Sequence, residues 1–159
     1  MNEPSPSTLR RDWPRLLLTL PAHHFSAALR EIKEQCQVVD LALPQAGLAL
    51  LQLRDGALAE PYFIGEIPLA RAVVRVTDPE GRQSEGAAQI MDDRAGLARD
   101  IAICDAVLAA GLAGEELIHA LLTQGTRLRA QIDAERGALL TRTRVDFSLL
   151  DGVSEGNDL

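Results

Sequence analysis

The stretch from Tyr62 to Thr77 is the densest block of β-branched and aromatic residues in this chain: Tyr-Phe-Ile-Gly-Glu-Ile-Pro-Leu-Ala-Arg-Ala-Val-Val-Arg-Val-Thr. Such side chains suit a half-buried, pleated surface, so the block reads as two extended segments meeting near Pro68. Side chains alternate along a strand, which puts Ala70, Ala72, Val74 and Val76 on one side and Arg71, Val73, Arg75 and Thr77 on the other. The sheet it belongs to is therefore expected to have one small apolar face and one face carrying cations.

The flanks extend this reading. Residues 36–43 and 47–54 are short runs rich in Val and Leu, separated by Pro44-Gln45-Ala46-Gly47, which reads as a turn. Asp55-Gly56 is a second turn signal, and Asp78-Pro79-Glu80-Gly81 a third. Residues 82–91 form a weak returning strand. Tight turns imply antiparallel pairing, because parallel strands need long crossovers. The expected fold is α+β, with an antiparallel sheet of about four strands between Cys36 and Met91, N-terminal helices before it and two longer C-terminal helices after it.

Helical periodicity locates those helices. The first covers roughly residues 9–20 and begins nearer Asp12, so that Pro14 falls in its first turn, where proline is tolerated. Residues 22–35 follow, with Phe25, Ala28, Leu29 and Ile32 on one stripe. Asp92 or Asp93 is expected to cap a helix over residues 94–110, where Ala98 and Ala102 allow a close approach to the sheet. Glu115 and Glu116 suit the first turn of a last helix from Gly114 to about Arg136, extending at most to Thr143, with Gly125 and Gly137 weakening it locally. The organisation expected is a disordered start over residues 1–8, one domain over 9–150 and a mobile acidic tail over 151–159. One domain of this length buries a proper core.

Composition narrows the function. The formal net charge is −7, which disfavours nucleic-acid binding. Cys36 and Cys104 stand far apart and read as buried, reduced thiols of a cytoplasmic protein. The apolar run at residues 16–20 is too short to span a bilayer, and no signal peptide is evident. No phosphate-cradling glycine motif and no cysteine cluster is present, so neither metal nor cofactor is expected on this chain. His23 and His24 diverge by about 100° on a helix and read as surface or packing residues, and His119 reads as half-buried. Glu66 after Gly65 reads as a bulge or as an interface or site carboxylate.

The arginines carry more information. Arg71 and Arg75 share a strand face, while Arg127, Arg129, Arg136, Arg142 and Arg144 crowd the C-terminal third of an acidic chain. They are either a solvated helix face or a surface for an acidic partner or a polyphosphate, both of which suit guanidinium forks. Arg144 next to Val145 and Phe147 has the mixed charged and apolar character of an interface anchor, which makes residues 127–147 the expected main partner-binding element.

Several segments, in order, resemble the PhnG family, a small subunit of the bacterial carbon–phosphorus lyase core complex. These are Phe63-Ile64-Gly65-Glu66-Ile67, Ala70 through Asp78, Ala98 through Leu108 with its Cys104-Asp105-Ala106, and Thr143-Arg144-Val145-Asp146-Phe147, with Arg11-Asp12-Trp13 similar to the family's N-terminal helix. Pro14, Pro68-Leu69, Met91 and Ser148 depart from the family pattern, as in a subgroup with altered partner contacts. The resemblance implies a subunit of a multi-subunit transferase that displaces adenine from ATP with an alkylphosphonate, giving α-D-ribose 1-alkylphosphonate 5-triphosphate. It implies partnership with a larger nucleosidase subunit and other core subunits, ATP as substrate of the complex, and a non-catalytic or shared-site role for this chain; a subunit expressed alone is expected to self-associate, because apolar stripes built for partners would be exposed. The alternatives are a free-standing small enzyme holding a phosphorylated ligand between Glu66 and Arg71, and a pure scaffold.

Overall fold

The structure is a computed structural model and describes residues 9–142. A 3₁₀ turn at Arg10–Asp12 leads into α1 (Trp13–Leu17), then α2 (Ala22–Gln35), β1 (Gln37–Arg54), β2 (Pro61–Thr77), β3 (Gln83–Ile90), α3 (Ala95–Ala110) and α4 (Glu115–Arg142). Pro14 sits in the first turn of α1, the place where its missing N–H costs nothing. Among the described residues no helix is long and apolar enough to cross a membrane.

The sheet is antiparallel in the order β1-β2-β3, so it has three strands, not four. The difference lies at Pro44 to Gly47, where the sequence signals a turn and the chain continues as strand. Register shifts between Asp40 and Ala42 and between Ala42 and Gln45 absorb extra residues on the β1 side. These are bulges on an edge strand, the setting in which a proline is tolerated because its missing donor need not serve a ladder. A third shift opposite Glu66 puts an extra residue on β2, where Gly65 adopts φ 129°. Pro68 lies beyond the end of β3 and interrupts nothing, so β2 is one continuous strand.

The core forms where the alternation of β2 meets α3. Ala70, Ala72, Val74 and Val76 are buried and face a helix whose Ala98, Ala102 and Ala106 are also buried. At Gly86 on β3 a methyl group would overlap Ala102 O and Ala106 N, so the close contact of helix and strand depends on glycine there. α3 lies between the sheet and the other helices, which explains burial on every side from Ile101 to Val107. Gly111 ends it in the left-handed conformation with φ 57°. α4 runs unbroken through Gly125. This glycine is buried where the backbone of α1 crosses, and a methyl group there would overlap Leu16 O.

Three smaller expectations also differ. Neither Asp92 nor Asp93 caps α3: the N-cap is Arg94, and Asp92 instead accepts bonds from the Arg94 backbone N–H and guanidinium at 2.8 and 2.6 Å. His119 is exposed, not half-buried. The described part of the N-terminal helix is shorter than expected, ending at Leu17.

Candidate interaction surface and arginine clusters

The helices cover only one end of the sheet. β3 pairs with β2 from Ala70 to Thr77, and before Ala70 the two long strands β1 and β2 run on as a two-stranded arm. Its tip is closed by Asp55, whose Oδ1 accepts the N–H groups of Ala57 and Leu58, both at 2.7 Å. These bonds, that of Leu58 first, hold the Asp55 carboxyl below its ordinary pKa. The arm is apolar and uncovered. Leu43 is 76% exposed, Leu48 69% and Phe63 61%, and Leu50, Leu58, Tyr62 and Ile64 are exposed with them. Scattered exposed leucines are ordinary on a protein surface, but a set concentrated on one two-stranded arm in this way points to an interaction site.

This surface was hidden in the sequence, because a Leu- and Val-rich strand reads as core by default. The available signal was one of supply. Two apolar strands of 18 and 17 residues need more cover than one helix of 16 residues provides.

The sheet face opposite α3 carries Arg71 and Arg75, as the alternation requires. Arg75 is taken up by Glu85 at 2.6 Å, cross-strand on the same face. Arg71 directs its Nε and Nη2 to Gln45 Oε1 at 3.2 and 2.9 Å, and borders a shallow cleft of about 220 Å³ with Gln45, Leu48, Leu69 and Gln89. Glu66 does not line that cleft. It pairs with Leu50 in the arm and is exposed, so the residues that a small phosphate-binding enzyme would need are not brought together.

In the C-terminal third, Arg129 and Arg136 lie on one face of α4 and meet Arg15 of α1 across a second cleft. Arg129 also holds Asp133 with Nε and Nη2 at 3.0 and 2.9 Å. Arg127 is on the exposed side of the helix, and Leu139 and Leu140 are exposed near its end. Arg144 and Phe147 lie outside the described residues.

Two buried carboxylates serve the fold. Asp105 accepts both Arg10 Nε and Nη2, at 2.7 and 2.6 Å, and the edge N–H of Ala87 at 2.9 Å, tying the N-terminal turn and β3 to α3. Asp78 closes the β2–β3 turn by accepting the Arg82 N–H at 2.8 Å. Burial pushes its pKa up, but the Arg82 N–H and guanidinium more than offset this and leave the group below its ordinary value. Both cysteines are free and buried, and burial pushes Cys104 up to about 12. His23 and His24 stack edge-on with ring centres 4.4 Å apart, and among the described residues no group of three or more His, Cys, Asp or Glu is placed to hold a metal ion.

Two comparisons bear on this arrangement. A relative in Rhizobium meliloti (strain 1021), the alpha-D-ribose 1-methylphosphonate 5-triphosphate synthase subunit PhnG, is 30% identical over 143 residues, covering 87% of this chain and 85% of the relative. The family described as phosphonate metabolism protein PhnG matches residues 8–152, nearly the whole chain. The chain belongs to the PhnG family of phosphonate metabolism proteins.

Proposed function

We propose that this chain is a subunit of the carbon–phosphorus lyase core complex and docks through the β1–β2 arm onto the larger nucleosidase subunit. In that assembly it supports displacement of adenine from ATP by an alkylphosphonate, giving α-D-ribose 1-alkylphosphonate 5-triphosphate and free adenine. The observation that carries this reading is the uncovered apolar arm. A chain that leaves Leu43, Leu48 and Phe63 mostly in water is built for a partner. The relative from Rhizobium meliloti is named as a synthase subunit, which supplies the kind of assembly. The role is non-catalytic or at a shared site, since Glu66 and Arg71 do not converge and the arginines of the sheet face are engaged by Glu85 and Gln45. The end of α4, with Leu139 and Leu140 exposed, is the second docking element. The chain itself is proposed to carry no cofactor and to work in the cytoplasm.

The test is Leu48→Gln combined with Phe63→Gln, in the full chain co-expressed with its neighbouring subunits. Both positions are exposed, so monomer stability should change by no more than about 0.5 kcal/mol each. The double variant should fail to co-purify with the larger subunit, and cells relying on it should not grow on an alkylphosphonate as sole phosphorus source. Stoichiometric co-purification of the double variant would refute docking through the arm.

A further inference from the structure

We propose that the cleft between α1 and α4 is a binding site for a condensed phosphate chain, held by Arg15, Arg129 and Arg136. The cleft has a volume of about 420 Å³ and is lined by these three arginines with Leu18, Thr19 and Ile132. None of these lining residues is a carboxylate. The Thr19 hydroxyl donates to Arg15 O at 2.9 Å, so the cleft's donors are the guanidiniums. In a chain of net charge −7, three cations around one cavity is a local reversal of sign.

Asp133, beside the cleft, pairs with Arg129. It accepts Nε and Nη2 of Arg129, and the Arg129 bond, with the charges of Arg15 and Arg136 adding to it, holds its carboxyl below the ordinary value. Three guanidiniums line the cleft, and the ion pair with Asp133 is made by Arg129. A guanidinium has five N–H donors in a fixed fork, so Arg129 retains donors after binding Asp133. Asp133 fixes the orientation of that fork at the expense of some affinity for anions.

Spacing selects the ligand class. Arg129 and Arg136 are seven residues apart on one helix, roughly 10.5 Å along its axis. A chain of linked phosphates presents oxygens along that row, so each guanidinium takes its own phosphoryl group, whereas a single phosphate engages both only if the side chains are drawn together. Guanidinium and phosphate match in geometry and charge, giving bidentate bonds. Leu18 and Ile132 add apolar surface to the cleft beside the guanidiniums. No residue of the β1–β2 arm lines the cleft, so this site and the docking reading stand or fall separately.

The probe is inorganic tripolyphosphate, titrated calorimetrically into the full-length chain, with sulfate and a polyglutamate peptide as comparisons. Tripolyphosphate should bind at least tenfold tighter than sulfate. Arg129→Gln and Arg136→Gln should each weaken it by tenfold or more, with cooperative thermal melts retained because both residues lie on the helix surface. Asp133→Asn should tighten it, a result that a purely structural Arg129–Asp133 pair would not produce. Equal affinity for sulfate, no effect of the two arginine changes, weaker binding by Asp133→Asn, or binding of polyglutamate without tripolyphosphate would each overturn the proposal. The last outcome would mark the cleft as a contact for an acidic protein segment.

Discussion

Three carboxylates in this protein, Asp55, Asp78 and Asp92, are committed to the local geometry of turns. Asp92 is the clearest case. Its carboxylate takes the Arg94 guanidinium and backbone N–H together, and these bonds lower its pKa from 3.8 to about 2, the side-chain bond being the larger cause. A pKa lower in the folded than in the unfolded chain stabilises the fold at pH values above the unfolded value, and that stability is lost as pH falls. The window therefore runs from about pH 4 down to about pH 2. Asp92→Asn should lower stability at neutral pH and flatten the acid limb of the stability curve, so that variant and parent converge near pH 2. Chemical denaturation at a series of pH values reads this directly, and parallel acid limbs for the two proteins would contradict it. The pairing itself was not legible in the sequence. Asp92 before a helical run has the composition of an N-cap, and only the conformation of Arg94, with φ −88° and ψ 88°, moves the cap one step further and turns the carboxylate onto its neighbour.

At the scale of elements, the helices were legible and the strands only partly so. The stripe of α2 and the alanines of α3 encode their faces through periodicity, and both helices occur close to where that periodicity puts them. Pro44 to Gly47 shows why strands are harder. A proline followed three residues later by glycine suits a turn and equally suits a bulged edge strand, and tertiary pairing chooses between them. Arg129 and Arg136 could be placed on one helix face from their spacing, while the contribution of Arg15 depends on how α1 crosses α4 at Gly125. The tightest element contact provides a test. At Gly86 any side chain meets the backbone of α3 at Ala102 and Ala106, and backbone cannot rotate away. Gly86→Ala should cost about 2–3 kcal/mol by overpacking, seen as a lowered urea midpoint with an unchanged slope. Gly47→Ala, in the arm with open space around it, should stay within about 0.5 kcal/mol. Equal costs at the two positions would mean that α3 does not sit this close to β3.

For the whole molecule, the deciding imbalance is between a well-covered half and a bare arm. The two edges of the sheet differ in the same sense. β3 has its Ala87 N–H occupied by Asp105, whereas β1 runs for 18 residues as the opposite edge with exposed leucines along it. A long apolar edge strand is a template for pairing with another chain. Net charge opposes such pairing: with −7 per chain, copies repel one another over roughly 10 Å at 0.1 M salt. Salt screens that repulsion and leaves the apolar attraction in place, so the isolated chain should self-associate more strongly as ionic strength rises. Ion-pair-driven association would weaken instead. Sedimentation velocity of the full chain over a range of protein and salt concentrations separates the two signs. Leu48→Gln with Phe63→Gln should remain monomeric throughout, since it removes two of the most exposed apolar side chains without touching the core. A wild-type chain that stays monomeric at high salt and high concentration would show that the arm does not drive association by itself. Docking would then have to depend on shape or charge supplied by the partner.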